Sequence, residues 1–339
     1  VGDHGGVLPR GKGYAYENGL HVPLVVYVPE NWKHLTNSEY GSRIDGFVSF
    51  IDFAPTILNL AGIDIPPHMD GRPFLGAGVS IEEVNDRDEA FGYADRFDEK
   101  IDHVRTLRKG NIKYIRNYQP FNVDALFNEY RYRMLAYAEW WDLYRAGSLN
   151  TIQQQFFEPR PAEQLFELSD DPFETRDLAN DPAYADLLSA MRQELNSKVK
   201  SINDLSMFPE SMLFAEAFDD PVAFGRQNSA RIGQLVDIAD LSLQSLDDVN
   251  LKFLGREHSV KDALSALDIV RTAFDSVSID LIYALPDQSA KAWRSMLDEA
   301  LSLRLTHMSL YQLTIEAGTR FYTLKRKGEI MPLNDDRAA

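Results

Sequence analysis

Three residues near the start of the sequence have the chemistry of a metal and anion site. Asp3 and His4 are adjacent and are followed by two glycines in the segment GDHGG. A carboxylate oxygen and an imidazole nitrogen can reach one divalent ion where the backbone turns sharply, which glycine permits. Lys12 follows in a glycine-rich stretch, where its ammonium group can clamp the oxygens of a bound anion. Each residue alone is also typical of an ordinary surface turn, so the pattern gains weight only as a whole.

Other polar residues of the same region are expected to be structural. Glu17 and His21 flank an Asn-Gly pair, and we expect Glu17 to buttress the loop rather than to take part in chemistry. Arg105 and Arg108 fall in a segment with strand character, where we expect them to pair with carboxylates.

The segments around these residues predict alternating strands and helices. Residues 21–29, HVPLVVYVP, form a β-branched run closed by proline, which predicts a buried strand. Apolar residues at helical spacing predict a helix from near Asp52 to Gly62. The segment HVRTLRKGNIKYIRNY predicts two strands about a Lys-Gly-Asn turn, and residues 121–156 are expected to be helical. Further along, EQLFEL predicts a strand and AYADLLSAMRQELNSKVKSI predicts an amphipathic helix.

The pattern changes after about residue 240. The segment ADLSLQSL predicts a short strand, VKDALSALDIVRTAF a helix and VSIDLIYALP a strand. AKAWRSMLDEALSL then predicts a helix and HMSLYQLTI a strand. This alternation predicts parallel strands joined by helical crossovers, which suit either a barrel or an open sheet.

Composition limits the possible functions. The chain has 339 residues, which is enough for two domains, and a net charge of -17, which argues against a nucleic-acid surface and against an anionic membrane face. The longest apolar runs are strand-sized and too short to span a bilayer. There is no cysteine, so disulfides, zinc–thiolate sites and cysteine-ligated iron–sulfur clusters are excluded.

The first part of the chain resembles the sulfatase family of the alkaline-phosphatase-like superfamily. The matching stretches are GDHGG, GKGYAYENGLHVPLVVYVP, FVSFIDFAPTILNLAGI, DGRPF, RTLRKGNIKYIRNY and QLFELSDDPFETRDLANDP. They cover about residues 1–240 in the family's order, and they are closest in character to bacterial sulfatases related to the heparan N-sulfatases. A phosphatase or phosphodiesterase of the same superfamily is a more distant alternative.

This resemblance implies roles for the three residues. Asp3 would be a ligand of the active-site calcium, His4 would lie beside that metal and the sulfate ester, and Lys12 would bind the sulfate group. Calcium and a sulfated small molecule or glycan are the implied cofactor and substrate. The family's formylglycine nucleophile, made from Cys or Ser in a C/S-x-P-x-R motif of the N-terminal half, has no counterpart in this sequence. We therefore expect the chain alone to be inactive in sulfate ester hydrolysis, or to be a metal- or anion-binding remnant.

Residues 241–339 resemble a second family. The stretches SLQSLDDVNLKFLGREHS, SIDLIYALPDQSAKAWRSMLDEALSL and HMSLYQLTIEAGTRFYTLKRKGE resemble the middle of radical S-adenosylmethionine haem chaperones and oxygen-independent coproporphyrinogen oxidases. By this resemblance Gln244, Arg256 and Asp280 would contact S-adenosylmethionine, although each also fits an ordinary structural position. The family's [4Fe–4S] cluster needs a C-x-x-x-C-x-x-C motif, which a chain without cysteine does not have.

Together these resemblances predict an α/β fold in two parts. A partial alkaline-phosphatase-like mixed sheet with a small α+β subdomain would be followed by a partial (β/α) barrel of about three units. We expect the join between about Leu235 and Gln244, where no flexible linker is apparent. We interpret the chain as a chimera of two incomplete gene segments rather than as an evolved fusion. The two families also imply different compartments, an exported one for sulfatases and the cytoplasm for the radical family.

Overall fold

The computed structural model describes the whole chain except a small set of positions. These are residues 1, 3, 37, 98, 121, 240–245, 255–258, 274–276, 306, 314, 316–319, 329 and 332–339. The chain divides into two compact units, Val1–Leu195 and Asn196–Ala339. The domain boundary expected near residue 240 comes from sequence similarity and stays a prediction.

The first unit is built on a four-stranded antiparallel sheet in the order β1-β2-β3-β4. The strands are β1 Glu89–Ala94, β2 Val104–Lys109, β3 Ile112–Asn117 and β4 Glu163–Glu167. Helices are α1 Glu17–Leu20, α2 Phe53–Leu60, α3 Ile81–Asn85, α4 Glu129–Tyr132, α5 Leu135–Arg145, α6 Thr151–Gln154 and α7 Ala185–Ser201, which continues past the division between the units. Short 3-10 helices are Glu30–Leu35, Phe50–Asp52, Gln155–Phe157 and Pro182–Tyr184.

Several predicted elements of this unit are confirmed. The hairpin β2–β3 turns at Gly110, whose φ of 54° is the left-handed conformation that glycine adopts without strain. The helix expected after Asp52 is α2, and Gly62 follows it with a φ of 69°. Asp52 fixes the start of this helix, because its carboxylate accepts hydrogen bonds from the backbone of Ser49 and Arg72.

The buried strand predicted for residues 21–29 is wrong. The segment lies outside the strands of the described structure, and Val25 and Tyr27 are 84% and 80% exposed. The backbone groups of residues 24–27 make no hydrogen bond to any described residue. A β-branched run favours extended backbone, but a buried strand also needs a neighbouring strand and an apolar layer over it.

An aromatic core covers one side of the sheet. Trp140 stacks on Phe156 at 4.3 Å and Tyr144 stacks on Phe157 at 4.5 Å between ring centroids. These rings join Tyr14 and other buried residues of the loop that precedes α1 in a single apolar cluster. The loop with the predicted site residues is therefore packed into the core of the unit.

The second unit is mainly helical with a two-stranded parallel sheet. Helices are α8 Glu210–Met212, a π-helix Leu213–Ala217, α9 Pro221–Gln227, α10 Ser229–Ala239, α11 Asp248–Phe253, α12 Val260–Ala273, α13 Ala290–Ser302 and α14 Arg320–Arg326, with a 3-10 helix at Leu205–Met207. Strands β5 Ser278–Tyr283 and β6 His307–Gln312 pair in parallel, and α13 lies between them in the chain. These strands and helices confirm the alternation predicted after residue 259.

The mixed α/β class is confirmed, while the partial barrel stays a prediction. The short strand predicted at ADLSLQSL falls mostly on residues 240–245, outside the described residues. Among the helices that the structure describes, none is both long enough and apolar enough to cross a membrane.

Candidate functional site

The loop from His4 to His21 is folded tightly on itself by its glycines. A Cβ atom on Gly5 would lie 2.2 Å from the carbonyl oxygen of Asn18, and one on Gly19 would lie 2.4 Å from that of Gly11. The backbone N–H of Lys12 donates to the carbonyl of Gly6 at 2.9 Å. This hydrogen bond holds the backbone of Lys12 against that of Gly6, which is two positions after His4 in the sequence.

Lys12 is partly exposed and lies beside a second, buried cation. Its Nζ lies 5.3 Å from the centre of the Tyr130 ring, and its carbonyl oxygen accepts a hydrogen bond from Nη2 of Arg131 at 2.9 Å. Arg131 is 1% exposed, and its guanidinium lies over the rings of Tyr14 at 4.2 Å and Phe97 at 5.1 Å.

Neither cation is paired with a carboxylate among the described residues. Nη1 of Arg131 is buried and has no hydrogen-bond partner there. Two neighbouring cations that no carboxylate of the described residues pairs with raise the local potential, and burial of one of them limits screening by water. The part of the loop that carries Lys12 is therefore suited to binding an anion.

The part of the loop at Glu17 is held by a buried cluster of opposite charges. Lys113 on β3 is 0% exposed, and its Nζ lies 2.9 Å from Oε1 of Glu17 and 3.0 Å from Oε1 of Glu174. The second oxygen of Glu17 is paired with Arg108 on β2. The backbone N–H of Glu17 donates to Glu174 at 2.8 Å. Glu17 buttresses the loop, as predicted, and Arg108 pairs with a carboxylate, as predicted.

The two carboxylates of this cluster titrate in opposite directions. Burial acts to raise the pKa of Glu17, but the charges of Lys113 and Arg108 outweigh it and hold that pKa below its ordinary value. Burial raises the pKa of Glu174 above its ordinary value, against the pull of Lys113. Glu17 is thus the firmly ionised partner of Lys113.

Arg10 holds the middle of the loop in a left-handed conformation. Its φ is 59°, and its Nη1 donates to the carbonyl of Glu174 at 2.7 Å. Its guanidinium lies 3.8 Å from the centre of the Tyr16 ring. Tyr16 in turn donates to a carboxylate oxygen of Asp124 at 3.0 Å. Such a conformation is costly for a residue with a side chain, and these contacts hold it in place.

A second buried charge cluster lies under the loop. Arg160 makes a bidentate pair with Asp102 at 2.6 and 2.8 Å, and Lys100 lies 3.2 Å from the same carboxylate. Burial acts to raise the pKa of Asp102, but Arg160 and Lys100 lower it overall. These side chains line an internal cavity with room for about one water molecule. The centre of a water-sized sphere can occupy about 10 Å³ of it.

The predicted site residues are only partly described. His4 is exposed at the start of the loop, and Asp280 is exposed on β5, opposite Ser309 of β6. Asp3, Gln244 and Arg256 lie outside the described residues. No local pattern pointed to Arg131, because it lies in a run of aromatic and charged residues that we expected only to be helical.

The described residues do not by themselves fit a calcium ion. Within them, no group of three or more His, Asp or Glu side chains could hold a metal. His4 offers a nitrogen, whereas calcium takes six to eight oxygen ligands. The metal roles of Asp3 and His4 stay predictions.

Comparison with known proteins shows sulfatase similarity in the first part. Residues 2–158 match the family described as N-sulphoglucosamine sulphohydrolase, C-terminal. An ulvan-active sulfatase of Formosa agariphila is 38% identical over 213 residues, which are 62% of this chain and 34% of that protein. A solved structure of a protein in complex with its substrate, D-glucosamine-2-N,6-O-disulfate, matches 46% of this chain and 25% of its own at 17% identity, with a TM-score of 0.29.

A different part of the chain is similar to other proteins. The mitochondrial radical S-adenosyl methionine domain-containing protein 1 of Mus musculus is 35% identical over 166 residues, 49% of this chain and 35% of that protein. The heme chaperone HemW of Bacillus subtilis is 30% identical over 144 residues, 42% of this chain and 36% of that protein.

The chain spans about a third of the length of each of these curated relatives. Both resemblances that the sequence motifs indicated are confirmed. Residues 2–158 are similar to the C-terminal domain of N-sulphoglucosamine sulphohydrolase, and another part of the same chain is similar to radical S-adenosylmethionine proteins and heme chaperones.

Proposed function

We propose that the first part of the chain is the sulfate-binding part of a sulfuric ester hydrolase. Its ligand is the sulfate group of a sulfated small molecule or glycan, and Lys12 binds it. One observation carries this proposal: Lys12 is partly exposed beside the buried Arg131, and neither cation has a carboxylate partner among the described residues. Similarity to a sulfatase of which the chain covers a third supports the choice of sulfate.

In this proposal each residue has a distinct part. The ammonium of Lys12 compensates the negative charge of the sulfate oxygens, which grows as the ester bond breaks. Arg131 fixes the Lys12 carbonyl and adds positive potential. Glu17 and Lys113 hold the loop from behind, so that Lys12 needs little reorganisation when the anion arrives. No step is assigned to calcium, because the described residues do not fit it.

The chain by itself is proposed to bind and not to turn over. It has no cysteine and no C/S-x-P-x-R motif from which a formylglycine nucleophile could be made. Hydrolysis of an aryl sulfate by the purified chain, above the level of Lys12→Ala, would show that the chain does contain a nucleophile and would contradict this proposal.

Calorimetric titration with inorganic sulfate and with N-sulfated glucosamine tests the binding. Lys12→Ala is expected to weaken binding about tenfold, the size of one charge-assisted contact. Lys33→Ala is the matched control, because Lys33 also lies over a tyrosine ring, at 4.7 Å from Tyr40, but far along the chain from the loop. Equal affinity of the wild type and Lys12→Ala, or equal loss in both variants, would reject Lys12 as the sulfate ligand.

A second function, S-adenosylmethionine binding, is supported for the later part of the chain. The relatives there are radical S-adenosylmethionine proteins, and Asp280 stands exposed on the parallel strand β5. Gln244, Arg256 and Asp280 are the proposed contacts. The test is calorimetric titration with S-adenosylmethionine. Heat release with the wild type that is lost in Asp280→Ala would support this binding. Absence of heat with the wild type would reject it. An iron–sulfur cluster held by cysteine is excluded by the sequence.

A further inference from the structure

Three apolar side chains of the second unit are exposed within one short stretch of the chain, two at the π-helix and one on α9. Phe214 and Phe218 are each 72% exposed, and Val222 is 59% exposed. The rings of the two phenylalanines touch, with centroids 5.2 Å apart. We call these three residues the phenylalanine stripe. Large apolar groups that stay clustered on a surface mark sites where another molecule docks.

The stripe lies on a segment that is anchored from its other side. Ala217 is 3% exposed, and Phe208 packs edge-on against Phe224 at 5.4 Å in the same unit. Asp220 caps helix α9 by accepting from the backbone of Ala223 at 2.9 Å. The segment thus buries one set of apolar side chains and presents a second set, the phenylalanine stripe, to solvent. A frayed end would not sort its residues in this way.

Acidic residues flank the phenylalanine stripe in the sequence. Glu210, Glu216, Asp219 and Asp220 are exposed. Between Lys200 and Arg226 the sequence has no lysine or arginine. This charge opposes a second copy of the same surface and opposes an anionic membrane, since both would bring like charges together. It favours an occupant that combines apolar anchors with basic flanks.

We propose that the phenylalanine stripe is a docking surface for a basic amphipathic helix of another protein. Apolar side chains at helical spacing on that helix would cover Phe214 and Phe218, and its lysines or arginines would face Glu216 and Asp219. Helices of this kind commonly bind exposed apolar grooves through a few anchors. The phenylalanine stripe belongs to the second unit and the loop of Lys12 to the first, so this proposal does not rest on sulfate binding.

The probe is a fluorescent synthetic helix of about 18 residues with leucines on one face and lysines on the other. Binding to the full chain is followed by anisotropy at low and high salt. The double variant Phe214→Ser/Phe218→Ser is expected to bind at least about tenfold more weakly, in the range of lost hot-spot contacts. Phe173→Ser is the control, because Phe173 is 68% exposed in the first unit. The pair Glu216→Gln/Asp219→Asn is expected to weaken binding and to reduce its salt dependence.

Several outcomes would overturn the proposal. Binding that is unchanged in the double phenylalanine variant would show only general attraction to an acidic protein. Equal binding of a leucine–glutamate helix would remove the role of the acids. Wild-type dimers in light scattering that are lost in the double variant would make a second copy the occupant, and capture by phosphatidylcholine vesicles would make it a lipid surface.

Discussion

The two compact units differ in the kinds of side chain that they bury. Among the described residues, all buried charged side chains belong to the first unit, including Lys100, Lys113 and Arg131 at 2%, 0% and 1% exposure. The apolar cluster around the parallel strands of the second unit consists of Leu246, Leu267, Ile279, Leu281, Met296 and Ala300. Burying an ion costs free energy unless it is paired, whereas burying an apolar side chain is favourable by itself.

The difference is between a unit whose buried charges hold a loop in place and a unit whose core around β5 and β6 is apolar. In the first unit the buried charges converge on the loop of Lys12, through Glu17, Arg10 and Arg131. Directional pairs of this kind fix geometry more than they add stability. In the second unit the described core fixes the β5–β6 pair without any ion pair of its own. The comparison predicts that the units respond differently to loss of a core side chain and to pH.

The largest effect is expected from Lys113→Met. This change leaves Glu17 and Glu174 buried beside each other without their shared cation, which costs about 3–5 kcal/mol in the free energy of unfolding. Hydrogen exchange at the β3 amides, read as a function of urea, measures it. Lys109→Met on the same hairpin is the control, because Lys109 pairs with Glu194 at the surface and should change little. Equal effects of the two variants would contradict the role of the buried cluster.

A smaller loss, about 3 kcal/mol, is expected from Leu281→Ala in the second unit. Leu281 is 0% exposed on β5, and truncation leaves a cavity without disturbing any buried charge. The loss should therefore be the same at pH 5 and pH 8 when it is read from exchange at the β5 amides. Leu310→Ala on β6, where the side chain is 46% exposed, serves as the control. A strong pH dependence would mean that a titrating group contributes to the stability of this core.

Local patterns in the sequence were enough to predict most elements. They were not enough to predict the contacts that hold the loop of Lys12 in place. The hairpin at Gly110 and the alternation of α12, β5, α13 and β6 follow from turn residues and periodicity within short windows. Glu17 and Lys113 are 96 positions apart, and Glu17 and Glu174 are 157 apart. No window of sequence contains such pairs, and the identity of a buried partner depends on the tertiary fold.

Segment 21–29 is a second example of what a short window of sequence cannot predict. Its β-branched composition favours an extended backbone, but a strand and its burial depend on what lies next to the segment, and it lies outside the strands of the described structure. Lys12 was proposed from its glycine-rich context, which lies in adjacent positions. Arg131 was missed because its role depends on a carbonyl 119 positions away. Sequence thus singles out a residue by its chemical type and local context more readily than the distant residues that contact it.

The smallest effect, and the one that tests the charge comparison most directly, is expected from Glu17→Gln. Its carboxylate has a lowered pKa in the folded chain, so it contributes stability above its ordinary value of 4.5 and loses that contribution as pH falls through the folded value. The variant should be less stable than the wild type by about 2 kcal/mol at pH 7, the size of a charged hydrogen bond, because Glu174 still pairs with Lys113.

The difference between Glu17→Gln and the wild type should then shrink toward zero in acid, below the folded pKa, because both chains carry an uncharged group there. Urea unfolding of both proteins at a series of pH values gives this curve. Glu129→Gln removes an exposed helical pair with Arg133 and is the matched control for losing one carboxylate. A difference that stays constant across the series would mean that Glu17 acts through packing alone. The loop would then be held by shape, as in the second unit, and the contrast between the two units would fail.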